Sequence, residues 1–523
     1  MSIDTRTDDS PTLQTSSSAF GVLKVKTFRE RVFGSLLSNT GSWMQDTAAT
    51  WLMTSLTSSE LLIALMQTAA SLPVLLLGLP AGALADILDR RKLLIFWQAW
   101  MLIAALLLSV FGLTGSLGPI LLLSLTFLLN VGTAMNNPAW QAIVPELVPR
   151  AMLSEAISIN SAVFNLARVL GPAFGGMVLA LFADAFAGAA AVFFINALSF
   201  LFVIYVLYRW KRKPLHTSSL PAERFIGSLR AGVRYVRHAP DLQIVLLRTV
   251  QTTTCASALW ALLAVVAKHD LRNGAFGYGM LNASLGFGAV MGATLLPRVR
   301  HKLSPNAIVS LAGAAIGGAL LVMAFVHQAW AVVIALMFAG FAWTSTTSTF
   351  NIAVQVSVPP WVQARALGTY QMVFQGGLAV GSALWGGLAT HFGTAFALSL
   401  AAAGLFVGIL LSRRIAINDD KLDLTSIAAA GLSRSVPAMM IEPRPEEGPV
   451  LITITYTIDP NEREEFVHAI DRLKTIRLRD GAMRWGLFRD PFDPRRYLET
   501  FLVDSWSEYM RQRERFTIED LAV

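Results

Sequence analysis

Twelve apolar stretches, each long enough to cross a bilayer as a helix, recur along the chain. They fall near residues 33–54, 61–84, 93–113, 119–141, 156–182 and 187–208. After a polar break, six more follow near 242–267, 275–297, 306–326, 329–353, 366–390 and 394–412. This pattern predicts an all-α polytopic membrane protein of two six-helix bundles, 29–208 and 242–414. Residues 1–28 open in a Ser/Thr/Asp-rich stretch without an apolar core, which predicts a disordered tail rather than a cleavable signal. Within the central loop, 209–241, Phe225, Ile226, Leu229, Val233 and Val236 recur at helical spacing beside Arg230, Arg234 and Arg237. That pattern predicts an amphipathic segment on the membrane surface.

Beyond residue 414 the hydropathy collapses. A polar linker, 415–448, leads into a soluble domain, 449–523. Val450–Ile458 alternates as a strand, Asn461–Ile476 carries an apolar helical face, Ala482–Phe488 and Tyr497–Val503 suit strands, and Trp506–Phe516 suits a helix. The order β-α-β-β-α is most of a ferredoxin-like module, with no closing strand evident before Val523.

Composition agrees with the hydropathy: 54% of residues are hydrophobic and only 15% charged. The net charge of +8 does not signal a nucleic-acid partner, because Lys and Arg lie mostly in short segments between the apolar runs, which successive crossings assign to alternate sides. One side receives nearly all of them, and the other only Lys268 and Arg272. The expected topology is therefore a multi-pass protein of the plasma (inner) membrane with both termini cytoplasmic. Cys255 is the single cysteine, which excludes an internal disulfide and a thiolate metal cluster. No metal, cofactor or catalytic residue is expected, and no G-x-x-x-x-G-K-[ST] occurs to bind ATP.

The fifth span contains ARVLGPAFGG, Ala167–Gly176. Gly171 and Gly175 clear one helical face for close packing, Pro172 removes a backbone donor, and Arg168 places a guanidinium at membrane depth. With Gly176 this resembles the G-P-x-x-G-G signature of drug and metabolite antiporters of the major facilitator superfamily; a kinked packing helix is the competing reading. Gly82-Ala83-Leu84-Ala85-Asp86 with Arg90-Arg91-Lys92 resembles that superfamily's signature between helices two and three, although Ile87 and Asp89 depart from it. Its basic residues are expected to hold carboxylates and helix C-termini of the facing bundle. Val144-Pro145-Glu146-Leu147-Val148 recurs as Val358-Pro359-Pro360-Trp361-Val362, a weak internal repeat matching two similar halves. G-x-x-x-G pairs at Gly78/Gly82, Gly171/Gly175, Gly288/Gly292 and Gly377/Gly381 are expected to line the seam between the halves.

Asp46 and Arg168 lie about thirteen and twelve residues into their spans, roughly 18–20 Å deep at about 1.5 Å per residue. They are expected to approach each other or share a polar cavity, and are the proton-coupling candidates; a static ion pair is the alternative. Cavity candidates are Asn130 and Asn137 on the fourth span, Gln251 and Thr253 on the seventh, Thr346 on the tenth and Gln371 on the eleventh. Trp260, Phe341 and Trp343 are candidates to contact an aromatic substrate.

SNTGSWMQ (Ser38–Gln45), NNPAWQAIVPELVP (Asn136–Pro149), NLARVLGPAFGG (Asn165–Gly176) and LWALLAVVA (Leu259–Ala267) resemble one branch, the transmembrane secretion effectors related to the enterobactin exporters. RDGAMRW (Arg479–Trp485) and SWSEYMRQRER (Ser505–Arg515) resemble the antibiotic-biosynthesis-monooxygenase-like extension of some members. The resemblance implies a facilitator fold and proton-coupled export of a siderophore-like or drug-like small molecule. Uptake by symport is one alternative; a tethered monooxygenase or haem-modifying domain is another. Self-association through the soluble domain is a further expectation, since the lone His468 there has no matched metal ligand or nucleophile.

Overall fold

A computed structural model describes residues 25–148, 152–210, 234–359, 362–412 and 446–515, together with 22, 415–417, 444, 517 and 520. Most of the expected tail and linker, and the apolar positions Phe225, Ile226, Leu229 and Val233, lie outside the described residues. So does Arg230.

Among the described residues, twelve long helices form the membrane part. They are α1 (Lys26–Leu56), α2 (Glu60–Ile87), α3 (Arg90–Leu113), α4 (Pro119–Ala142), α5 (Leu153–Ala180) and α6 (Ala185–Arg209). The second set is α7 (Pro240–Val265), α8 (Ala275–Arg300), α9 (Pro305–Phe325), α10 (Ala329–Val356), α11 (Gln363–Phe392) and α12 (Thr394–Leu411). Eleven are long and apolar enough to span a membrane on composition alone. Helix α1 is more polar, carrying Arg29, Glu30, Arg31 and Asp46 along its length.

Local chemistry sets the boundaries. Ser59, Asp89, Asp184 and Ser304 accept hydrogen bonds from the first-turn amides of α2, α3, α6 and α9. Pro119, Pro240 and Pro305 open α4, α7 and α9, where a missing amide costs no helical bond. Gly393, at φ +87°, turns the chain from α11 into α12, a backbone region that side chains with a Cβ avoid.

Packing reveals the repeat more clearly than sequence does. In the first half α1 packs on α5 and α6, α2 on α4, and α3 on α4 and α6. In the second half α7 packs on α11 and α12, α8 on α10, and α9 on α10 and α12. Each contact thus recurs six helices later. The halves meet chiefly where α2 crosses α11 and α5 crosses α8. Val144 and Val148 are buried beneath the α4–α5 connection, and Val358 and Val362 beneath the α10–α11 connection, so the sequence repeat falls at equivalent corners.

The seam is closed on the side away from the termini. There Leu61 donates its amide to Thr390 Oγ1 at 3.1 Å, Thr394 Oγ1 donates to Glu60 Oε1 at 2.9 Å, and Lys268 Nζ donates to the Thr54 carbonyl. Among the described residues the seam is open toward the termini: a Cβ on Gly78 or Gly82 would meet nothing within 4 Å, and Phe164 on α5 and Phe287 on α8 are exposed.

The four helices that carry the G-x-x-x-G pairs do line the seam, α2 on α11 and α5 on α8, but on α5, α8 and α11 the paired glycines themselves do not face it. Gly171 and Gly175 face α1 at Thr40, Trp43 and Met44; Gly288 and Gly292 face α10 at Met337 and Phe341; Gly377 and Gly381 face α7. These are contacts within each half. The seam uses other glycines: Gly176 against Gly279, Gly286 against the Arg168 carbonyl, Gly376 against Leu75 and Gly386 against Ala64. A helix has two close-packing faces, and spacing alone does not say which one meets the opposite half.

The soluble domain has the expected order, with β1 (Val450–Thr457), α13 (Arg463–Asp480), β2 (Arg484–Arg489), β3 (Arg496–Val503) and α14 (Trp506–Arg515). Its antiparallel sheet runs β1-β3-β2, with Val450 opposite Val503. Alternate β3 residues Tyr497, Glu499, Phe501 and Val503 are buried. Among the described residues no fourth strand joins the sheet.

Candidate functional site

A cavity of about 70 Å³ lies at the seam, within the membrane part. Trp43, Asp46, Thr47 and Thr50 reach it from α1, Gln67 from α2, Thr126 from α4, Pro172 from α5, Trp260 from α7, and Tyr278 with Asn282 from α8. Both halves therefore build it. Its walls are aromatic: Trp51 stacks on Tyr278 with ring centroids 5.6 Å apart, and Trp260 meets Trp343 edge-on at 4.5 Å. Thr126 Oγ1 is buried without a hydrogen-bond partner among the described atoms.

Asp46 is half-buried in this wall. Among the described residues no hydrogen bond or ion pair engages its carboxylate, whereas Thr47 one residue on returns its hydroxyl to the Trp43 carbonyl at 2.9 Å. A carboxylate at membrane depth without a fixed cation is costly and is retained where it has work to do.

Arg168 does not pair with it; its guanidinium carbon lies 5.7 Å from the Trp43 ring centroid instead. The register explains why. Helix α1 begins at Lys26 rather than near residue 33, and α5 at Leu153, so equal counts from the expected span ends misjudge depth. With Gly175 level with Met44 on parallel helices, Asp46 is level with Met177, so Arg168 sits about two and a half turns, roughly 13–14 Å, closer to the open mouth. The two groups touch the same tryptophan region at different heights.

The antiporter-like motif joins three things. Gly171 and Gly175 bring α5 against the Asp46 helix, Pro172 lines the cleft, and Gly176 meets Gly279 of α8 across the seam. A Cβ on Gly279 would lie 2.6 Å from the Pro172 carbonyl oxygen, so no side chain fits without parting the helices.

The gate-like motif acts within one half. Arg90 Nε donates to the Ala85 carbonyl and its Nη1 to the Ala142 carbonyl, each at 3.1 Å; Arg91 donates to the carbonyls of Leu207 at 2.9 Å and Tyr208 at 2.6 Å. Arg31, buried and stacked 4.6 Å over Trp140, donates to the Trp140 carbonyl at 2.9 Å. These cations meet carbonyls at the ends of α4 and α6, where the helix dipole is negative. The expectation that they grip the facing bundle is not met, because the mouth beside them is open. Asp86 is on α2, but its side chain lies outside the described residues; Asp89 caps α3 at Lys92 N, 3.0 Å.

None of the six cavity candidates lines the cleft. Asn130 donates to the Thr126 carbonyl at 3.0 Å, and Gln251 to the Gly404 carbonyl of α12 at 2.8 Å. Thr253 bonds back to Thr249 and packs on Gly377; Thr346 is buried, its hydroxyl without a partner among the described atoms; Asn137 and Gln371 are exposed. Trp260 does line the cleft, with Trp343 edge-on behind it. Sequence reasoning missed Gln67, Tyr278 and Asn282; the i, i+4 pair Tyr278/Asn282 on an apolar helix was the available signal.

In the soluble domain Glu499 is buried and accepts hydrogen bonds from Tyr456 Oη at 2.8 Å, Trp485 Nε1 at 3.0 Å and Arg477 Nε at 3.2 Å. His468 is exposed. Among the described residues no three His, Cys, Asp or Glu side chains gather as metal ligands.

Comparison with known proteins agrees with this architecture. The profile of the transmembrane secretion effector family matches residues 17–523. The multidrug efflux pump Tap of Mycolicibacterium fortuitum is 25% identical, covering 71% of this chain and 91% of the pump. The enterobactin exporter EntS of Escherichia coli is 28% identical over 63% of this chain and 77% of the exporter. The staphyloferrin A transporter of Staphylococcus aureus is 22% identical over 68% and 87%. Among solved structures, the nucleoside transporter NupG superposes with a TM-score of 0.63 at 10% identity, covering 75% of this chain and 100% of that one. An inward-facing bacterial homologue of the lysosomal transporter Spinster gives 0.57 at 14%, covering 75% and 95%. At such identities the structural likeness shows the fold.

Proposed function

The chain belongs to the transmembrane secretion effector family of the major facilitator superfamily, and from that premise we propose that it is a secondary active exporter driven by proton antiport. The observation that carries this reading is Asp46, a carboxylate facing the midplane cleft with no fixed cation. In alternating access, substrate enters from the open mouth, the seam closes there and opens at the Lys268–Thr54 side, substrate leaves, and the Asp46 carboxylate accepts a proton from that side and releases it when the mouth reopens. Both termini then lie in the cytoplasm, on the side where Lys and Arg cluster. Named relatives that export a siderophore or efflux drugs support export over uptake.

A carboxylate among Trp43, Trp260 and Tyr278 suits a drug-like aromatic cation better than an anion, because ring faces and carboxylate both attract positive charge. Arg168, held over the outer face of Trp43, balances part of that charge. The soluble domain serves a regulatory or self-associating role in this reading, supported by β1 standing at an edge of the sheet among the described residues.

Proteoliposomes with an imposed pH gradient test the proposal. Cationic drugs should move against their gradient when protons flow down theirs, and Asp46→Asn should cut that gradient-driven flux at least about tenfold. Undiminished flux in Asp46→Asn would remove the residue from coupling.

A further inference from the structure

Among the described residues, a short segment before α7 bonds the soluble domain to the membrane part. Residues 234–238 form a helical turn directly before α7, and Gln243 Nε2 ties that turn to α7 by donating to the carbonyls of Val236 at 2.9 Å and Arg237 at 2.7 Å. On its other face, Arg234 Nη2 donates to Glu508 Oε1 of α14 at 3.1 Å. Arg515 donates to the same oxygen at 2.7 Å and to the Asp480 carbonyl at 2.7 Å. Arg479 is held by Asp480 at 2.8 Å and Asp520 at 2.7 Å, and lies 5.7 Å from the Tyr235 ring centroid. Arg234 and Glu508 are 22% and 15% exposed, so water weakens this pair less than it weakens a surface bridge.

The neighbouring residue reaches into the membrane part as well. Tyr235 is 2% exposed and packs with Phe350, Val354, Val358, Val362 and Tyr370, which are the mouth-side ends of α10 and α11 and the corner between them. From there rings continue to the cleft: Tyr370 to Phe374 at 5.9 Å, Phe374 to Trp343 at 5.4 Å, and Trp343 to the cleft-lining Trp260 at 4.5 Å. Packed rings thus connect the substrate cleft to the face on which the soluble domain is docked.

We propose that the soluble domain is a docked brake whose partner is the second half of its own chain, held by Arg234 and Tyr235, and that docking favours the mouth-open state. The mouth-side ends of α10 and α11 must move toward α4 and α5 for the mouth to close. A domain bonded to the segment wedged between those ends resists that movement, and it shifts the equilibrium by the difference in contacts between the two states. This restraint rests on the alternating-access reading above; the docking itself does not.

Hydrogen exchange on the full chain in lipid nanodiscs separates the two. Arg234→Glu places a carboxylate against Glu508 and should raise exchange several-fold at 477–486 and 506–515. If docking favours the open mouth, exchange should also rise at the distal seam, 54–60 and 266–274, and transport in proteoliposomes should quicken at least about twofold. Arg234→Lys should keep native protection, and Arg237→Glu, at an exposed position of the same turn, should change neither region. Unchanged exchange in the soluble domain of Arg234→Glu would overturn the docking. Loosening there with an unchanged distal seam would overturn the brake, whatever the transport assay says of export.

Discussion

The closure of the seam on the side away from the termini depends on two glycines, and Gly279→Ala tests that directly. An alanine Cβ at 279 would lie 2.6 Å from the Pro172 carbonyl oxygen, 2.8 Å from Gly176 Cα and 3.2 Å from Gly176 N. All three are backbone atoms, so no rotamer change relieves the contact. Reaching an ordinary separation requires α5 and α8 to part by about 0.6–0.8 Å. Overpacking of this kind costs about 1–3 kcal/mol. The cost falls only on the state in which these helices touch, so the population should shift toward opening of this seam by about 5- to 150-fold. Exchange at 54–60 and 266–274 should rise by a corresponding factor, while the melting temperature falls little because the opened state accommodates the methyl. Gly387→Ala is the control, since a Cβ there meets nothing within 4 Å. If Gly279→Ala leaves exchange at this seam unchanged, or if Gly387→Ala raises it equally, the closure does not rest on glycine contact.

Two further outcomes follow from the same geometry. Arg90→Ala with Arg91→Ala removes four hydrogen bonds to carbonyls of α2, α4 and α6. Discounted for partial exposure, the loss should be about 1–3 kcal/mol of stability. Thermal unfolding should show it without a change in exchange at the distal seam; a shift there instead would mean that these arginines bridge the halves. In the soluble domain, burial pushes the Asp480 carboxyl up to about 6, against the pull of the Arg479 guanidinium. The folded pKa exceeds the ordinary 3.8, so this group's stabilising contribution is complete below about 3.8 and is lost as pH rises through about 6. Protection at 477–486, corrected for intrinsic exchange rates, should therefore increase from pH 7.5 to 5.5 in the native chain and less so in Asp480→Asn. Parallel profiles would refute the assignment.

The chain's spacing of apolar runs was enough to establish twelve long helices in two halves and a β-α-β-β-α extension, because lipid forces each span to satisfy its own backbone bonds and to show an apolar surface. Charge in the loops and the motifs of the second and fifth helices were equally legible, since both are short-range patterns. What sequence could not give was the direction in which a residue faces. Gly171 and Gly175 serve α1 while Gly176, one position on, serves α8, and nothing in the spacing distinguishes them. Gln251 and Thr253 are as polar as Tyr278 and Asn282, yet the first pair bonds within its half and the second faces the cleft. The depth of Arg168 relative to Asp46 was likewise set by where the helices begin and how α1 and α5 are keyed together. Periodicity along one helix fixes which residues share a face; only the arrangement of its neighbours decides whether that face meets lipid, its own half, the opposite half or the cleft.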